Sequence, residues 1–197
     1  SPLKNLLFGV KDIINVDGYP TRCGSFLPHE LFKGSQASCV SSLLDAGAIF
    51  TAKTVTAEFA VSDPGETKNP RNLSHTPGGS SSGSAASVAA GFCDIAIGTQ
   101  TSGSVIRPAG YCGVIGYKPS FRRINRDGVL LFSKSMDHVG IFAKDLHLLE
   151  RTLPIIVDSW SFSKPTFDQD ICIGIPEGSY LNLSKPNILK QYTNTVQ

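Results

Sequence analysis

Apolar residues recur along this chain in short runs separated by loops rich in Gly, Ser, Pro and Asn. Leu6-Leu7-Phe8-Gly9-Val10 is an apolar run closed by Lys11-Asp12, and predicts a buried strand. Val40, Leu43 and Leu44 stand near helical spacing within 38–45, Gly47 is placed to end that helix, and 48–53 follows as a strand. The small, alanine-rich stretch 84–91 predicts a short helix, and 94–98 a buried strand. A helix is expected to begin within 105–109 with Pro108 in its first turn, and 113–117 and 139–143 read as strands. Residues 145–157 carry Leu146, Leu148, Leu149 and Leu153 as a helix broken near Pro154, 171–175 reads as a strand, and Ser184 with Pro186 opens a last helix. Helix and strand alternate, which predicts an α/β fold: a mixed, largely parallel β-sheet covered by helices on both faces.

The chain has 197 residues, with 41% hydrophobic and 17% charged, enough for one globular domain spanning 1–197. Its net charge of +2 calls for neither nucleic acid nor an anionic membrane surface as partner. Arg122, Arg123 and Arg126 cluster with Lys118, and the run is short enough to read as a solvated loop near the mouth of a site. No apolar run reaches the length of a membrane span. Cys23, Cys39, Cys93, Cys112 and Cys172 are widely spaced without a Cys-x-x-Cys pair, so no metal site is expected. They read as small buried hydrophobes of a reducing compartment, and a cytoplasmic location is the expectation.

The chemistry concentrates in 78–104. Gly78-Gly79-Ser80-Ser81-Ser82-Gly83-Ser84 is a loop with unusual torsional freedom and many small hydroxyls. One helix and one strand later the chain enters a second loop, Thr101-Ser102-Gly103-Ser104. A strand that delivers a serine into a glycine-containing turn exposes a hydroxyl and presents backbone N–H groups to a developing oxyanion. A helix that runs back along the strand lets the two loops meet. The plain alternative, a Gly/Ser linker, does not account for the helix, strand and second loop that follow at once. By composition alone Lys11 reads as a strand-ending surface lysine. A Ser/His dyad using His75 lacks an identifiable acidic orienter.

These stretches, together with Gly98-Thr99-Gln100-Thr101-Ser102-Gly103-Ser104-Val105-Ile106-Arg107-Pro108-Ala109, Cys112-Gly113-Val114-Ile115-Gly116-Tyr117-Lys118-Pro119 and Gly18-Tyr19-Pro20-Thr21-Arg22-Cys23-Gly24-Ser25, resemble the amidase signature family of serine amidases. The resemblance runs over most of the chain, from about residue 9 to 178. It implies a Ser-cisSer-Lys triad: Ser104 as nucleophile, Ser80 as the cis-serine relay, and Lys11, in its Val-Lys-Asp setting, as base. It implies an oxyanion hole from the amides of Thr101, Ser102, Gly103 and Ser104, loop support from Gly79 and Ser81, and no cofactor. The activity implied is hydrolysis of a small linear amide through a seryl acyl-enzyme.

Arg107, three residues after Ser104, is nearer in motif to malonamidase-type members than to the glutaminase subunit of the tRNA-dependent amidotransferase. A guanidinium there could pair with a substrate carboxylate, or could tie loops together. The expected partner is therefore a small-molecule amide, carboxylate-bearing amides being the candidate class, with no nucleic acid and no membrane; a homodimer is one candidate assembly. Two alternatives stand beside the hydrolytic amidase: the glutaminase subunit, and a catalytically silent binding protein derived from an amidase. Ser102 stands where the family usually has glycine. The family's domain is usually longer, so the fold is expected to lack N- and C-terminal parts.

Overall fold

Alternation along the first strand sorts the fold into two faces. In β1 (Leu7–Lys11) Phe8 and Val10 point one way, Gly9 and Lys11 the other. The structure is a computed structural model describing residues 1–61, 63, 65–161, 174–175 and 177–196. Contacts divide it into two units, Ser1–Ser161 and Phe162–Gln197. The first unit holds a five-stranded sheet of β1, β2 (Ile49–Thr54), β3 (Ile95–Gln100), β4 (Ile115–Tyr117) and β5 (His138–Ala143), in the order β2-β1-β3-β5-β4. Both neighbours of β1 lie parallel to it; β5 runs antiparallel to β3 and β4. Four of the five strands thus point the same way, and the expected largely parallel, mixed sheet is what forms.

Helices cover both faces. Phe8, Val10, Ile95, Ile97, Val139 and Ile141 form one core with Val40 and Leu43 of α1 (Ser38–Asp45) and Leu149, Leu153 and Ile156 of α4 (Leu146–Ile156). On the opposite face Ala96 and Phe142 pack with Ala85 and Val88 of α2 (Ser82–Ala89) and with Ala109 and Cys112 of α3 (Ile106–Cys112). This second core is built from small residues, so α2 lies close to the sheet. A Cβ on Gly98 would stand 2.7 Å from Phe142 Cε2 and 2.8 Å from Ser81 Oγ, and one on Gly83 would strike the backbone of Val55.

Two expectations change. The helix after the first loop begins at Ser82, two residues early: Ser82 and Gly83 are buried, and Gly83 N donates to Val55 O at 2.9 Å. Pro154 does not break α4, which continues to Ile156: it lies in the last turn on the exposed side, where a single ladder bond is lost. Asp145 caps that helix, accepting from Leu148 N at 2.8 Å. The second unit contains a 3₁₀ turn, Ser179–Leu183, and α5 (Pro186–Val196). Residues 171–173 of the expected strand at 171–175, and Cys172, lie outside the described residues. Cys23, Cys39, Cys93 and Cys112 are buried free thiols; burial raises all four, Cys23 and Cys112 to about 11 and Cys39 to about 12.

Candidate active site

Lys11 closes β1 on the face that carries α2, and it is fully buried at 0% exposure. The surface position suggested by composition is therefore not the one the fold gives it. Its Nζ donates to Ser80 Oγ at 2.8 Å and to Thr99 Oγ1 at 2.8 Å, and lies 3.5 Å from Thr99 O. Burial away from water disfavours the ammonium and lowers the Lys11 pKa to about 7; the Asp137 carboxylate opposes this more weakly. Near neutral pH the amine and the ammonium are then both populated.

Ser80 is held by its backbone as well. The Gly79–Ser80 peptide is cis, and Ser80 O accepts from Ala57 N at 2.9 Å. Ser81, fully buried, donates its hydroxyl to Thr99 O at 3.1 Å and accepts from Thr99 N at 3.3 Å. That double contact welds the first loop to the end of β3. Ser81 N also donates to Ser104 O at 3.4 Å, so the two serine loops meet directly. Ser104 itself is 7% exposed at the entrance to α3.

The turn 101–104 is clamped at both ends. Gln100 Oε1 accepts from Val105 N at 2.8 Å and Ile106 N at 3.0 Å, satisfying amides at the start of α3, and its Nε2 donates to Ser102 O at 3.0 Å. Thr101 Oγ1 donates to Asp137 Oδ1 at 2.5 Å. Gly103 lies beside the Arg107 guanidinium and its carbonyl accepts from Arg107 N at 2.9 Å. Arg107 Nε donates to Gly79 O at 3.1 Å, spanning the two loops from the exposed side. A loop tie is thus the contact Arg107 makes.

The fold gathers Lys11, Ser80, Ser81 and Ser104 at one end of β1 and β3, with Gly79 and Arg107 at the rim. It leaves His75 on an exposed loop against Ser74 Oγ at 3.1 Å. Asp12 accepts from Arg22 N at 3.1 Å and pairs with Lys53 at 2.7 Å, which fixes the segment after β1. Sequence reasoning assigned no part to Thr99, Gln100 or Asp137, whose side chains bond Lys11, Ser102 and Thr101 respectively. The first two lie inside the motif and are buried polar residues at the end of a strand, a signal in itself; Asp137 is remote in sequence. Among the described residues no group of His, Cys, Asp and Glu could hold a metal ion, and no helix is long and apolar enough to cross a membrane.

A family profile described as Amidase matches residues 1–181. The chain is 39% identical over 186 residues to the glutamyl-tRNA(Gln) amidotransferase A subunit of Salinibacter ruber, covering 90% of this chain and 36% of that protein. Among solved structures, the peptide amidase of Stenotrophomonas maltophilia superposes with a TM-score of 0.74 at 36% identity, over 80% of this chain and 34% of that one. The glutamyl-tRNA(Gln) amidotransferase A subunit of Thermotoga maritima superposes with a TM-score of 0.73 at 35% identity, over 78% and 36%. The chain spans less than half the length of these relatives. Fold and matches define a protein of the amidase class built on a mixed α/β sheet. The chain belongs to the amidase family. The malonamidase-type likeness drawn from Arg107 is not what these relatives single out.

Proposed function

We propose that this chain carries the acyl-transfer centre of an amidase that cleaves the C–N bond of a small linear amide. The observation that supports this most directly is the buried Lys11, lowered to about 7 and 2.8 Å from Ser80 Oγ. In this reading Ser104 Oγ attacks the amide carbon. Its proton passes to Ser80, whose own proton passes to Lys11 across the same 2.8 Å contact. The amides of the 101–104 turn stabilise the oxyanion, each such donor being worth about 3–4 kcal/mol. Collapse breaks the C–N bond; the proton returns through Ser80 to the departing amine or ammonia. Water then attacks the ester, and the acid leaves. The chain's own residues supply every proton carrier, so no cofactor is required. Gly79 and Ser81 hold the first loop in register. The other guanidinium nitrogens of Arg107 are the candidate anchor for a substrate carboxylate, since among the described residues its side chain bonds through Nε, to Gly79 O.

A second reading has its own support. The relatives from Salinibacter ruber and Thermotoga maritima carry the name of an amidotransferase subunit, which favours a glutaminase that delivers ammonia to partner proteins working on charged tRNA. Intact-mass spectrometry after fluorophosphonate treatment of wild type and Ser104→Ala tests the centre common to both. An adduct on wild type that is absent from the variant is expected; an adduct that survives Ser104→Ala rejects the nucleophile. Ammonia release from glutamine, measured beside a panel of carboxylated and neutral amides, separates the two readings.

A further inference from the structure

Asp137 is 3% exposed, and among the described residues its carboxylate meets neutral donors. Oδ1 accepts from Thr101 Oγ1 at 2.5 Å, and Oδ2 accepts from Phe132 N at 2.6 Å and Ser133 N at 2.9 Å. The nearby Arg126 spends its Nη1 on backbone, donating to Asp137 O at 3.1 Å and Lys134 O at 3.0 Å. The placement follows from register. Gln100 pairs with His138 across the antiparallel β3–β5 ladder, so one step further brings Asp137 opposite Thr101. There the backbone ladder ends and a side-chain bond continues it. The 101–104 turn therefore hangs between a carboxylate at its start and Gln100 at its end.

We propose that Asp137 is the positioning residue of the 101–104 turn, acting through the Thr101 hydroxyl to aim the turn's amides at the oxygen of an acyl group on Ser104. The inference rests on the reading of Ser104 as nucleophile. A hydroxyl donor to a buried carboxylate is a short, charge-assisted bond, and it fixes both the torsion of Thr101 and the direction of the amides that follow. Misplacing such donors by about 1 Å is enough to lose about 100-fold in rate. The carboxylate has a second effect at distance. Lys11 touches the neutral Ser80 and Thr99, and the Asp137 carboxylate acts on it by charge, favouring its ammonium. One residue thus links the turn and the base.

The test uses the full chain and a fluorophosphonate as probe. Saturation kinetics of inactivation give a maximal rate and a half-saturating concentration for wild type, Thr101→Val and Thr101→Ser. In Thr101→Val the maximal rate is expected to fall about 100-fold with half-saturation within about twofold, and Thr101→Ser is expected to stay within about threefold of wild type in both. Asp137→Asn supplies the independent arm: with the negative charge gone, the pH midpoint of inactivation moves down. Thr101→Val labelling at close to the wild-type rate overturns the proposal. So does a loss that Thr101→Ser shares, or one that tracks a lower unfolding midpoint, since either marks a purely structural tie. Wild type that takes no adduct on Ser104 defeats the underlying reading itself, and is recognised before any variant is compared.

Discussion

Replacing Lys11 by methionine asks whether the buried amine is neutral in the folded protein. A free lysine titrates near 10.5 and the buried one near 7. Between these values the unfolded chain holds a proton that the folded chain does not, so stability rises with pH across this window. Below about pH 7 both states are protonated, and burying the charge costs about 5 kcal/mol, each tenfold loss of proton affinity being worth about 1.4 kcal/mol. Above 10.5 both are neutral and the penalty is gone. Methionine keeps the apolar bulk and removes the titration, although it strands Ser80 Oγ and Thr99 Oγ1, a penalty of about 1–3 kcal/mol for each that is independent of pH. Urea unfolding of both proteins at several pH values isolates the effect, because the thiols and tyrosines common to both cancel in the difference. From pH 7 to 9.5 the stability of wild type relative to Lys11→Met should grow by about 3 kcal/mol. A difference that stays flat over that range would show that folded Lys11 keeps its proton, and the proposed base would fall with it.

Four further outcomes follow from the same structure. If Lys11 must be neutral to accept a proton, fluorophosphonate labelling should reach a plateau above its pKa of about 7 and drop about tenfold by pH 6; a profile level to pH 5 would exclude Lys11 as base. Gln100→Ala strips the Val105 and Ile106 amides and Ser102 O of their partner, and should lower stability by about 1–3 kcal/mol while slowing labelling, as chemical denaturation and inactivation kinetics will read. Gly98→Ala drives a methyl into Phe142 and Ser81, and should lower the urea midpoint by an amount equivalent to about 1–3 kcal/mol; an unchanged midpoint would mean that α2 can retreat from the sheet. Cys23, Cys39, Cys93 and Cys112 should resist a thiol reagent at pH 8 and react once the chain is unfolded, with peptide mapping by mass spectrometry as the readout.

Much of the site was legible in the chain because its special residues are contiguous. Glycines and serines at 78–84 and 101–104 have few roles other than tight turns and hydroxyl chemistry, and the elements between them are short enough that the loops had to return to one end of the sheet. Lys11 shows the limit of that reasoning. Its composition pointed to the surface; only the resemblance pointed inward, and the burial of Lys11 comes with the first serine loop packing closely on the sheet at Gly98. Arg107 shows it too, since one residue type served two readings and a single contact to Gly79 O tells which nitrogen is engaged.

Local pattern determined the order of helices and strands, because periodicity of apolar residues is written into every short window. It also determined the two turns that carry the serines, since backbone freedom belongs to glycine itself. The tertiary structure decided what periodicity cannot encode: that β5 enters antiparallel beside β3, that Asp137 thereby meets Thr101, and that Lys11 loses its water. Partners distant in sequence are chosen by strand order and register, and a pKa by the solvent that packing removes; neither exists until the chain has closed on itself.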